Sequence, residues 1–270
     1  MTITTTMHTR TIRALGYACA LLIISVLAAP SADAQSLTKG AANYKPFAVE
    51  HIGKALAGAK ELQAAAKAGD VKAAQAAWIK SRKGWEAIEP ITGEFFEKLD
   101  EAIDAWPDAK QGYHAVEAAV FAGKLGEVGA AVDGLVGNLA EFEKQVSAPS
   151  FKFAPQGLLN GVTGLAYEIG ENKSKGGESP YAHTSHIDMQ ENVEGIEAVY
   201  KLVFEGALKK KDAKLAESIH EKIEDVEKLV QVKNVKQIDQ PALNKAGEEL
   251  AVLLQSAAPK LGLKKPKLGD

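Results

Sequence analysis

Apolar residues along this chain recur three or four positions apart and rarely alternate with polar ones, a spacing that lines one face of a helix and not one face of a strand. The clearest stripe is Leu215, Ile219, Ile223, Val226 and Val230, which reads as core. Punctuation brackets the helices. One is expected over 46–68, ending at Gly69-Asp70, where Asp70 can cap a second that runs through Trp78 and Trp85 to residue 91. A third covers 94–105 until Trp106-Pro107 breaks it, followed by 112–122 and 128–146. Ser147-Ala148-Pro149-Ser150 and Pro155 then interrupt the pattern, and helices over 157–170, 187–208, 212–230 and 239–258 complete it. The expected class is all-α, divided into 1–34, 35–150 and 151–270, with each of the two long parts a helical bundle joined by short loops.

Residues 1–34 read as a cleaved signal peptide: Arg10 and Arg13, an apolar run over 14–28, then Ala32-Asp33-Ala34 before Gln35. That run falls short of the roughly 20 residues a spanning helix needs. The mature protein is therefore expected to start at Gln35 and to be periplasmic. Cys19, the single cysteine, lies in this leader, so no disulfide is expected after cleavage. The chain carries a formal charge of −3, which becomes −4 when two arginines and one aspartate leave with the leader, and gives no reason to expect nucleic acid as a partner.

His114 and Glu117, three apart on a helical segment, project from one face and can reach one ion; imidazole plus carboxylate suits iron, zinc or copper. Glu86 and Glu89 share that spacing beside Trp85, Ile88 and Ile91, where an unpaired charge would be costly, and Asp100 and Asp104 follow. The polar, glycine-rich stretch 172–180 is expected to be a loop, long enough to be functional. Residues 113–118 can be laid on 193–198, placing His114 opposite Glu194 and Glu117 opposite Glu197, a faint internal echo. Neither the HExxH of zinc peptidases nor an ExxH of di-iron oxidases occurs, so no enzyme is expected.

Several stretches together carry a family resemblance: Trp85-Glu86-Ala87-Ile88-Glu89-Pro90-Ile91, then Asp100 and Asp104, then Gly112-Tyr113-His114-Ala115-Val116-Glu117. In the second half, Ser179-Pro180-Tyr181-Ala182-His183-Thr184 and Gln190-Glu191-Asn192-Val193-Glu194-Gly195 continue the series. In order and spacing they resemble the motifs of the imelysin-like family, in its EfeO/EfeM branch. The resemblance implies two four-helix bundles flanking a cleft, and a periplasmic component of a ferrous-iron uptake system. Such a component works with an inner-membrane iron permease and a periplasmic haem peroxidase. Carried over residue by residue, it implies metal ligands His114, Glu117, Glu86, Glu89 and Asp104, with Asp100, His183 and Glu194 as further candidates. Glu194 stands where the family has an aspartate and Ala182 where it has a serine, and the helical region begins without a cupredoxin domain, as in the shorter EfeM type. Some short members of the family bind alginate. A polyuronate would need cations, which Lys209-Lys210-Lys211, Lys214 or the tail from Lys260 to Lys267 could supply.

Overall fold

Gly69, with a left-handed φ of 73°, ends α1 (Ala32–Ala68), and the Asp70 carboxylate caps α2 (Val71–Glu86) by accepting from the Ala73 amide at 3.0 Å. The computed structural model describes residues 32–105, 110–171, 173–175 and 177–268. Most of the leader, the Trp106-Pro107 break and the loop residues Asn172 and Gly176 lie outside them. The further helices are α3 (Glu89–Ile103), α4 (Gly112–Phe121), α5 (Gly129–Ser147), α6 (Pro155–Glu171), α7 (Ser185–Val199), α8 (Glu205–Lys211), α9 (Ala213–Val230) and α10 (Gln240–Lys260). Among the described residues there is no strand, and no helix is long and apolar enough to cross a membrane.

The all-α expectation holds, with three shifts in boundaries. The first helix starts at Ala32 and runs through Pro46, because the buried positions Leu37, Ala41, Tyr44, Ala48 and Ile52 form one continuous stripe whose packing outweighs the hydrogen bond a proline removes. The second segment divides between Glu86 and Glu89, where Pro90 sits in the first turn of α3. The helix expected over 187–208 is interrupted by a π turn at Tyr200–Phe204.

α1 packs along α2 and α5, while α10 packs along α6 and α9. The expected boundary near residue 150 falls between α5 and α6. Across it α3 lies on α6 and α2 on α7, and the described residues form one compact unit.

Two close approaches set up the site. At Gly161 on α6 a side chain would have to sit 1.7 Å from the Pro90 carbonyl oxygen, so only glycine lets α6 press on the α2–α3 junction that carries Glu86 and Glu89. Gly112, with φ of 76°, brings the start of α4 against the end of α3, where a Cβ would lie 2.5 Å from the Ile103 oxygen. Asp104, which ends α3, thereby meets His114 near the start of α4.

Candidate functional site

The buried stripe of α2 runs Ala74, Ala77, Trp78, Ser81, Arg82 and Trp85, so a guanidinium sits where the helix period calls for an apolar side chain. Arg82 is 1% exposed and lies over the Tyr113 ring, 5.2 Å from its centre. One arm reaches Asp104. The other lies 2.6 Å from Glu86 Oε1 and 3.2 Å from Glu178 Oε2. One residue of α2 therefore ties together its own helix, the end of α3 and the loop after α6. Trp85 Nε1 donates to the second oxygen of Asp104 at 3.1 Å.

A second cation enters from that loop. Lys173 Nζ donates to both oxygens of Glu89, at 2.8 and 2.9 Å, and stands 3.3 Å from Glu178 and 3.7 Å from Glu86. From α7, Asn192 Nδ2 donates to Glu86 Oε2 at 2.7 Å and Glu89 Oε2 at 2.6 Å. Glu117, fully buried on α4, accepts the successive amides of Tyr181 and Ala182 on Oε1, at 2.9 and 2.8 Å. Its Oε2 has no hydrogen-bond partner among the described residues and lies 3.8 Å from His114 Nδ1. His114 Nε2 faces Asp104 Oδ1 at 3.3 Å. Of these groups Glu89, Asp104, His114, Lys173 and Glu178 line a cavity of about 910 Å³, along with further acids, among them Glu94, Asp100, Glu101 and Glu168, while Glu86 and Glu117 lie behind its wall.

The structure thus gathers His114, Glu117, Glu86, Glu89 and Asp104 from α2, α3 and α4 into one buried cluster, with Asp100 on the cavity wall. It does not bring in the other two candidates. Glu194 lies half exposed on α7, 3.7 Å from His51 Nε2. His183 is exposed on the loop, with a left-handed φ of 58°. Arg82, Lys173 and Glu178 are the members that sequence reasoning missed. The one local sign of them was a charge at a stripe position of α2. Among the described residues no three His, Cys, Asp or Glu side chains converge as an ion requires; the two cations stand between the carboxylates. Of the cations considered for a polyuronate, Lys209, Lys211 and Lys260 pair with Glu205, Asp33 and Asp212.

Burial pushes the Glu86 carboxyl well up despite Arg82, raises Glu89 to about 7 and raises Asp100 to about 6. Burial would also raise Asp104, but Arg82 and His114 outweigh it and hold that carboxyl well below its usual range. For His114, burial disfavours the charge, yet its contacts with Asp104 and Glu117 push the imidazole up to about 9 from the usual 6.5. Glu89, Asp100 and His114 therefore each hold protons in the folded chain at pH values where the unfolded chain has released them. Stability must fall as pH rises through that window. Asp104 acts in the opposite sense, its contribution being lost only as pH falls below the usual carboxylate range. We expect thermal melts of the chelator-treated protein, at constant ionic strength, to give a melting temperature that declines from about pH 5 to about pH 9. A melting temperature that climbs over this interval contradicts these proton assignments.

Comparison with known proteins adds a lineage. The family model described as imelysin, Peptidase_M75, matches residues 40–111 and 108–260. The chain is 27% identical over 264 residues to an iron uptake system component EfeM of Pseudomonas syringae pv. syringae, covering 90% of this chain and 91% of that protein. It is 31% identical over 206 residues to an EfeM/EfeO family lipoprotein of Staphylococcus haemolyticus, covering 72% of this chain and 70% of that one. Against an iron uptake system component EfeO of Escherichia coli the identity is 31% over 170 residues, 59% of this chain but 44% of the longer relative.

Proposed function

The chain belongs to the imelysin family, and from this premise we propose that it is an exported component of an iron-uptake system that carries a transition-metal ion in the acidic cavity and passes it to an inner-membrane permease. The ion is cargo, held by His114 and Glu117 together with Glu86, Glu89 and Asp104. The observation that carries this reading is the pairing of Glu117 Oε2, a buried carboxylate oxygen without a hydrogen-bond partner among the described residues, with the His114 ring nitrogen 3.8 Å away. That gap is too long for a hydrogen bond and is one that a single ion can bridge with two ligand bonds of about 2.0–2.2 Å.

The rest of the cluster suits the same task. Carboxylates and one imidazole form a hard-to-borderline donor set, appropriate to ferrous iron and shared by zinc. An acid-lined cavity concentrates cations near its mouth and repels polyanions such as a polyuronate. A haem peroxidase partner follows from the family resemblance alone. Two of the relatives are named as iron uptake system components, and the cluster serves as a carrier site with no catalytic step.

Equilibrium dialysis of the mature protein against ferrous iron under anaerobic conditions, followed by metal analysis, tests the proposal. Saturable retention accompanied by a rise in melting temperature is expected, since an ion that binds only the folded state stabilises it. Retention no greater than that of an unrelated acidic protein would overturn the reading.

A further inference from the structure

We propose that Lys173 is a tethered counter-cation that holds the ion's place among Glu86, Glu89 and Glu178, and that binding of a divalent transition-metal ion there displaces it, so that Lys173 sets how tightly the cargo is held. This inference rests on the reading of the cluster as metal-binding. Its basis is the position of the ammonium group: Lys173 Nζ contacts three carboxylates from three segments, at 2.8 to 3.7 Å, the place a cation drawn to these oxygens would take. A metal ion and an ammonium cannot share it, because the oxygens that ligate one must turn from the other.

The two buried cations differ in whether they can leave. Arg82 is locked by Asp104, Glu86 and Glu178, lies over the Tyr113 ring, and does not line the cavity. A planar guanidinium in such a fork has no second arrangement with equal pairing. Lys173 is a compact charge on a flexible stem, and it does line the cavity. Glu168 and Asp100 line the same cavity and lie near enough to feel the Lys173 charge, so carboxylates are at hand for a displaced ammonium. The arrangement answers a requirement of transport. Empty, the buried carboxylates need a compensating charge to keep their shape. Loaded, they must not hold the ion so tightly that it cannot be passed on, and a competing cation on the same chain lowers affinity by a fixed amount.

The test compares the wild-type protein with Lys173→Gln and Lys173→Arg in calorimetric titrations with zinc. A second readout follows the wild-type protein under an amine-reactive ester by mass spectrometry, with and without zinc. Lys173→Gln is expected to bind zinc about tenfold or more tightly, since one competing charge is gone, and Lys173→Arg no more tightly than wild type. Modification of Lys173 is expected to rise when zinc is added. Zinc binding by the wild type with no gain in Lys173→Gln, or with Lys173 modified equally in both states, overturns the inference and leaves the metal-binding reading standing. If Lys173→Gln does not fold, the modification experiment decides alone. Absence of binding in all three proteins, each folded by circular dichroism, removes the reading and this inference with it.

Discussion

Replacing Arg82 with methionine is expected to lower the stability of the metal-free protein by about 3–5 kcal/mol, the range found when one partner of a buried ion pair is removed. Methionine fills much of the volume and keeps the contact with the Tyr113 ring, so the loss is one of charge and not of packing. What remains is Glu86, Asp104 and Glu178 in a largely buried region, with only Lys173 and His114 left to offset their charge. For a chain of this size that loss corresponds to a fall in melting temperature of roughly 6–20 °C, at about 2–4 °C per kcal/mol. Denaturant titration of the wild type and variant after chelation measures it. The gap should narrow in acid, where the orphaned carboxyls take up protons. A loss below about 1 kcal/mol, the level of an exposed pair, would mean that Arg82 does not neutralise a buried cluster.

His114→Ala is expected to weaken metal binding by about 10–100-fold, equivalent to about 1.4–2.8 kcal/mol. From the sequence alone a ligand histidine gives the metal-free fold little, and truncation would leave its melting temperature nearly unchanged. The structure alters that expectation, because His114 is buried, touches Asp104 and is charged at neutral pH, so the metal-free variant also loses stability. The two effects separate in their dependence on pH. In the wild type an ion must displace the His114 proton, so affinity should strengthen as pH rises toward about 9, and this gain should flatten in the variant. Glu197→Ala serves as control: Glu197 pairs with Lys201 on the partly exposed side of α7 and should leave both affinity and pH profile unchanged. Equal affinities in His114→Ala and wild type, measured calorimetrically at two pH values, would remove His114 from the site.

How far these residues could be read in advance depended on the range of the interactions that place them. Helix class, the Asp70 cap and the α9 stripe are local matters: a residue three or four positions away shares a face whatever else the chain does, and α9 buries Ile219, Ile223, Val226 and Val230 as their spacing required. The same local rule put His114 with Glu117, whereas Glu86 and Glu89 sit on either side of the break between α2 and α3 and share Asn192 and Lys173. Which charges neutralise those acids is not local. Glu178 meets Arg82 across 96 positions and Lys173 meets Glu89 across 84. Nothing in the polar loop 172–180 distinguished Lys173 from Lys175 as the cation that would be buried. That choice is made in space, where the chain leaving α6 brings Lys173 against Glu86, Glu89 and Glu178. The echo of His114 at Glu194 shows the same limit from the other side, since similar helical sequence left Glu194 at the surface beside His51. Periodicity determines which face of a helix is buried; only the packing of helices decides what that face meets, because charge pairing acts through space and takes its partners from wherever the backbone brings them.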